Sequence, residues 1–382
     1  MAFEALEARK RIFGPQHDNT LRSSATMGAA LISAAQYKDA QSILETTLAD
    51  CELSGKEGTK VDIMYSLGVL YHLTGQQLKA EAVLKEAVER TSSKSWESRH
   101  DTIIFMHYLA KIYCQQGRYR EGEELALRAR ESSVKEFGEH DTATLGSTTT
   151  LAHLYFVQGR YREAAVLQEQ TLNYCEALFG KENISTHDVR HTLARTYNKQ
   201  GHTAEAEKLY FQANSGYIEI LGDGHKLAIE SSAELAEFFL SQGRLQHAIP
   251  ILEKNIEKCH RVMGGQHSAT IRYSSKLGYA YCLLSRFNEA ESVLKNAQEA
   301  LEKNFREENH AEPQEDMLSQ ILAFNTLVTI YHIQGRLNEA RPLLDKLAET
   351  GMEKEGGNDL NTSRYVENLE AFRAHASTIY TL

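Results

Sequence analysis

The phrase QGRYRE occurs twice, inside AKIYCQQGRYREGEELALRA at 110–129 and AHLYFVQGRYREAAVLQEQT at 152–171, and the two copies lie 42 residues apart. Taking Gly117 as a marker, equivalent positions fall at Ala35, Gly75, Gly117, Gly159, Gly201, Gly243, Ser285 and Gly335. The steps are 42 residues, except a first step of 40 and a last of 50. A fixed period of this size restricts the chain to a repeat array, in which each unit buries its apolar face only against its neighbours.

The residues around the marker give the unit its shape. Four positions before it stand Leu31, Tyr71, Tyr113, Tyr155, Tyr197, Phe239, Tyr281 and Tyr331. Five positions after it stand Ala40, Ala80, Gly122, Ala164, Ala206, Ala248, Ala290 and Ala340, and an aliphatic follows three further on in every unit. A large residue that closes one helix, a turn, and a small residue inside the next helix describe two closely crossing antiparallel helices. QGRYRE is therefore read as a helix–turn–helix elbow with a structural duty. With only 4 prolines and 42% hydrophobic residues, the chain can sustain long helices and a packed core.

This pattern resembles the tetratricopeptide (TPR) repeat, carried by Leu109-Ala110, Tyr113, Gly117, Tyr119 and by Leu151-Ala152, Tyr155, Gly159, Tyr161, Ala164. The 42-residue period resembles the kinesin-light-chain type, as do the linkers EFGEHDTAT (136–144), ILGDGHKLA (220–228) and VMGGQHSAT (262–270), which lack the family's proline after histidine. The resemblance implies an all-α, right-handed superhelical solenoid of about eight helix pairs. The expected division is a half-unit and linker at 1–18, the array at 19–350 and a C-terminal capping helix at 351–382. Residues 3–13 read as the second helix of an incomplete pair, which fits either a cap or a cut from a longer protein. The acidic insertion at 305–318 reads as a solvated loop, and Trp96, the single tryptophan, as a local packing anchor.

The resemblance also implies that the first helix of each pair lines a concave, ligand-binding face. Two positions before each closing aromatic lie Val69, Lys111, His153, Arg195, Glu237, Tyr279 and Thr329; six before lie Tyr65, His107, Thr149, His191, Ala233, Ser275 and Asn325. These ladders are one helical turn apart. They place His107, Lys111, His153, His191 and Arg195 in a basic patch, with Lys199 nearby, Tyr65, Tyr108, Phe156 and Tyr279 as flat walls, and Glu230, Glu234 and Glu237 following. Such a groove suits an acidic or C-terminal peptide, or a small anionic molecule, because arginine and lysine form charge-assisted hydrogen bonds to oxyanions. The alternative is a solvated wall without a partner. Kinesin-light-chain repeats carry an Asn-Asn pair that contacts peptide backbone; of those asparagines only Asn325 is present here, so the scaffold matches the family while the groove residues differ.

Other chemistry has thinner support. HDVRH (187–191) is similar to the HExxH zinc helix, but aspartate replaces glutamate and no third ligand stands at helical spacing. SGKEGTK (54–60) lacks phosphate-loop spacing, and neither a G-x-S-x-G elbow nor a Rossmann fingerprint occurs. Neither a metal nor a cofactor is expected. If the groove is instead a catalytic chamber, His107, His153 and His191 are its acid–base groups. Histidines titrating near 6.5 would weaken anion binding as pH rises through that value. A formal charge of −10 and a pI near 5.9 argue against a nucleic-acid partner. No apolar run reaches the roughly 18 residues of a membrane span. Five scattered cysteines without a CxxC pattern suit reduced thiols in the cytoplasm, with Cys114 and Cys282 near the groove rim.

Overall fold

The computed structural model describes residues 2–34, 36–92, 97–306 and 313–352. Trp96, the stretch 307–312 of the insertion and all but two residues of the expected C-terminal cap lie outside the described residues. Among the described residues the chain is all-α, with seventeen helices and no strand. It divides into two compact units, Met1–Thr203 and Ala204–Leu382.

The first unit holds α1 (Ala2–Phe13), α2 (Asp18–Ser33), α3 (Tyr37–Ser54), α4 (Glu57–Leu73), α5 (Gln77–Ser92), α6 (Glu97–Gln115), α7 (Tyr119–Phe137), α8 (Thr142–Val157), α9 (Tyr161–Phe179) and α10 (Ile184–Gln200). The second holds α11 (Thr203–Leu221, starting at the boundary), α12 (Lys226–Ser241), α13 (Leu245–Val262), α14 (Ser268–Leu283), α15 (Phe287–Arg306), α16 (Pro313–Ile333) and α17 (Leu337–Met352). Consecutive helices pack as pairs, α2 on α3 through α8 on α9 in the first unit and α12 on α13 through α16 on α17 in the second.

The marker works as the repeat pattern requires. The glycines at 75, 117, 159, 201, 243 and 335 have φ of 69–81°, and Ser285, the one described marker that is not glycine, is held at φ 59°. A left-handed residue lets the chain reverse within one residue of the helix end. The small residue five positions on is fully enclosed: Ala40, Ala80, Ala164, Ala206, Ala248, Ala290 and Ala340 are each 0% exposed. In three pairs the fit is tighter still. A β-carbon on Gly28, Gly68 or Gly278 would stand 2.4–2.6 Å from Leu44, Leu84 or Leu294 of the partner helix.

QGRYRE has a specific task. Gln116 and Arg118 both donate to Glu81 on the preceding pair, at 2.9 and 2.8 Å. Gln158 and Arg160 do the same to Glu123, at 3.0 and 2.6 Å. Arg244 reaches Glu207 and Arg336 reaches Glu291, each at 2.6 Å. These arginines stand over the closing aromatics Tyr113, Tyr155, Phe239 and Tyr331, at 4.0–4.5 Å from the ring centroids. Where the carboxylate sits one turn later on the second helix, the closing tyrosine takes over. Tyr71 donates to Glu45 at 2.7 Å, Tyr197 to Glu169 at 2.9 Å, and Tyr281 to Glu253. Burial pushes the Glu81 carboxyl up, yet hydrogen bonds from Lys85, Arg118 and Gln116 outweigh it and hold the group at about 2.

The linkers between pairs are built for helix starts. His17, His225 and His267 are N-caps whose imidazoles accept from Asn19, Leu227 and Ala269 backbone N–H groups; Asp141 and Asn183 serve elsewhere. Thr144, Thr186 and Thr270 hydroxyls donate back to Gly138, Gly180 and Gly264 carbonyls. The residue after each capping histidine is the first helical position, where proline is welcome but not required.

Two stability outcomes follow from this packing. Gly278→Ala drives a methyl into Leu294 and should cost about 1–3 kcal/mol in chemical denaturation; the double variant Gly278→Ala/Leu294→Ala should show strong non-additivity. Ser285→Gly removes the left-handed penalty of a residue with a β-carbon and should raise stability by about 0.5–1 kcal/mol. Additive losses, or a destabilised glycine variant, would contradict this account.

Candidate binding cavity

All the residues of this site belong to the first unit. A cavity of about 310 Å³ lies among α4, α6, α8, α9 and α10, and its wall includes Lys111, Thr149, His153, Phe156, Gln168 and Arg195. The sequence ladders therefore converge in part: Lys111, Thr149, His153 and Arg195 meet in one cavity, whereas His107 and His191 are not part of its lining.

Each cation is set by its surroundings. The Lys111 ammonium lies over the Tyr108 ring at 5.3 Å, and burial pushes its pKa down. The Arg195 guanidinium lies over the Phe156 ring at 5.1 Å. Such stacking orients a charge. Lys111 and Arg195 bring two basic side chains to the wall, in a chain of net charge −10.

The histidines divide. His107 packs beside Tyr108, ring centroids 5.2 Å apart, and its Nδ1 is 2.7 Å from the Thr150 hydroxyl. Burial first, then the Lys111 charge, hold its pKa down at about 3. The expectation of titration near 6.5 is thus corrected for His107, which is neutral throughout the ordinary pH range. His153 stays open to solvent on one side and lies 3.7 Å through Nδ1 from the Cys114 sulfur. Burial, then Arg195 and Lys111, press its pKa down as well. Cys114 is buried and its thiol is pushed up by desolvation, the reverse of what activates a nucleophile.

The remaining ladder residues are placed elsewhere. The Tyr65 hydroxyl donates to that of Tyr108 at 3.3 Å, their rings meeting edge-on at 5.5 Å. In the second unit Glu237 is paired with Lys276, Tyr279 is exposed, and Asn325 is half-buried, its backbone carbonyl accepting from Thr329. Ala233 and Ser275 are buried, so the second ladder does not face solvent there. In HDVRH, His187 is only 1% exposed and its Nδ1 faces the Arg190 guanidinium at 3.2 Å, a structural cluster with Arg190 bound to Glu176 at 2.7 Å. All five cysteines are free thiols.

The ladders missed His72, Gln115, Thr150, Gln168 and Thr192. Gln115 lies one turn beyond Lys111 on α6 and was reachable by extending the ladder. Gln168 lies on a second helix, nine positions after its marker, where the other pairs carry Leu44, Leu84, Ala126, Tyr210, Leu252, Leu294 and Leu344. A single polar residue in an apolar column was its signal.

Comparison with known proteins gives the same architecture. Tetratricopeptide-repeat models match residues 61–93, 102–142, 144–213 and 227–303. No curated protein sequence matches the chain. Similar solved structures include a Podosopora anserina protein of nearly identical kinesin-light-chain TPR-like repeats (26% identity, 53% of this chain and 95% of that one, TM-score 0.49). Others are the apo quorum sensor NprR from B. thuringiensis (14%, 91% and 92%, 0.62) and the Rap conjugation gene regulator of plasmid pLS20 in complex with the Phr* peptide (13%, 77% and 76%, 0.54).

The His107 environment has a measurable consequence. A folded-state pKa below the unfolded value of 6.5 means that the folded state resists protonation. Its stability contribution is complete above 6.5 and drains away as pH falls toward about 3. Denaturation at pH 7 and pH 5 should show a loss for the wild type that is smaller in His107→Gln. An equal loss in both proteins would refute the assignment.

Proposed function

Since this chain belongs to the tetratricopeptide-repeat family, we propose that it is a binding scaffold, taking a protein or peptide segment whose acidic group enters the Lys111–Arg195 cavity. The observation that carries this reading is the convergence of Lys111, His153 and Arg195 on one cavity, with the two cations stacked on aromatic rings. Burial disfavours the Lys111 charge, and an incoming oxyanion would favour it through a charge-assisted hydrogen bond. Phe156 adds an apolar surface for the segment's aliphatic parts. A protein of the same fold holding the Phr* peptide supports a peptide as the occupant. The free thiols accord with the cytoplasmic setting included in this reading.

Catalysis by the three histidines fits less well, because His153 alone among them lines the cavity and His107 is held neutral. His153 instead adds hydrogen-bonding capacity. With His107 held neutral, Lys111 and Arg195 carry the attraction near neutrality.

Length-matched acidic, neutral and basic fluorescent peptides, titrated against the protein by polarisation, test the reading. Acidic peptides should bind best and weaken as salt rises. Lys111→Ala/Arg195→Ala should lose about tenfold to a hundredfold in affinity, the range of one to two hydrogen bonds to charged groups. Equal binding across the three charge classes, or an unaffected double variant, would refute it.

A further inference from the structure

Three lysines drawn in from solvent are each met by a carboxylate. Lys60 reaches Glu52 at 2.9 Å, Lys258 reaches Asp223 at 3.5 Å, and Lys276 reaches Glu237. Lys111, half-buried on α6, departs from that rule. Among the described residues it makes neither a hydrogen bond nor an ion pair, and its ammonium has only the Tyr108 ring beneath it. Burial pushes its amine down, and no carboxylate pulls it back up. A lysine so placed carries a larger share of the neutral amine than a solvated one.

The amine is reachable. The buried side-chain nitrogens left without a partner include His72 Nδ1 but not Lys111 Nζ, which keeps accessible surface. Lys111 lines the cavity of about 310 Å³, a space that takes a small molecule. Three imidazoles lie near enough to feel its charge: His72 on α4, His107 one turn earlier on α6, and His153 on α8. Burial is the first cause of the lowered pKa at each of them. Arg195, from α10, completes the charged wall, while α5 and α7 contribute no lining residue. A neutral amine, a proton acceptor beside it and a walled space are what imine formation needs.

We propose that Lys111 is a nucleophilic site for small, uncharged aldehydes, which it holds in the cavity as reversible imines. The Nζ lone pair attacks the carbonyl carbon, so that the C–N bond forms and the C=O π bond breaks. Both amine protons end on the carbonyl oxygen, which leaves as water as the C=N bond forms. His153, open to solvent, relays those protons. Nothing is oxidised or reduced. An uncharged aldehyde is favoured over a keto acid, because a carboxylate beside Lys111 stabilises the unreactive ammonium. The site does not need the acidic occupant proposed above, which the polarisation titration reads separately.

Reductive trapping on the whole protein tests this. Benzaldehyde is added below the protein's concentration, cyanoborohydride fixes the imine, and peptide mapping by mass spectrometry locates it. Lys38, which is exposed, is the internal reference. At pH 7 Lys111 should be labelled at least about threefold faster than Lys38, since each unit of lowering raises the neutral fraction about tenfold. Lys111→Arg should lose this fast-labelled fraction. Trace acetylation with acetic anhydride, mapped in the same way, should level off at a lower pH at Lys111 than at Lys38.

A second variant separates the amine's surroundings from simple exposure. Thr149 is an exposed residue of the same wall, and Thr149→Glu places a carboxylate there. It should slow labelling of Lys111 by about tenfold and leave Lys38 unchanged. Equal labelling of the two lysines in the wild type, a common pH profile, or fast trapping at Lys111 that survives Thr149→Glu would each overturn the proposal.

Discussion

One carboxylate at each joint between helix pairs holds this array in register. Apolar packing brings second and first helices of adjoining pairs together, but packing alone tolerates sliding along the helix axis. A charge clasped by a stacked arginine or by a tyrosine hydroxyl does not, because its partners are fixed by the elbow. The carboxylate takes one of two places a turn apart, at Glu81, Glu123, Glu207 and Glu291 or at Glu45, Glu169 and Glu253. The arginine serves the first place and the tyrosine the second, and at Glu291 both Arg336 and Tyr331 donate. Phe239 has no hydroxyl, and it is at that joint that the arginine, Arg244, makes the clasp with Glu207. The repeated phrase in the sequence is thus a conserved geometry served by two interchangeable chemistries.

Helix pairing and turn position were legible in the sequence because each is written at a fixed distance from the marker. A reader needs only the period, the small residue and the closing aromatic. The clasp was not legible in the same way, since its two halves lie 26–45 residues apart and alternate in position. Nor was the Gly28, Gly68 and Gly278 pattern, because a missing β-carbon has meaning only against the leucine it admits. These are pair properties, and a single column of letters does not display them.

The candidate site was legible by half. Lys111, Thr149, His153 and Arg195 were found because a helix face has a simple period, and those residues do share one cavity. His107 sits on the same ladder but turns to Thr150 and is desolvated. Periodicity fixes which side of a helix a residue occupies, not what its side chain finds there. Gln168 was missed for the opposite reason: it comes from the helix whose face is assigned to the core. The likeness to kinesin-light-chain repeats pointed to this face and to asparagines that this chain has replaced, so the ligand chemistry has to be argued from the new residues.

Departures from the repeat fall into two physical classes. Some are compensated. Phe239 is matched by Arg244 and Glu207, and the three helix glycines are matched by leucines, so each departure leaves the pair as well packed as its neighbours. Others are not. Ser285 keeps a left-handed backbone without glycine's freedom, and Gln168 buries an acceptor without a donor. An uncompensated departure persists either because its cost is small or because something outside the fold repays it. Ser285 belongs to the first kind, as a single turn residue whose penalty is on the order of 1 kcal/mol. Gln168, only 6% exposed and with its Oε1 unpartnered, carries a larger cost, about 1–3 kcal/mol for an orphaned buried acceptor.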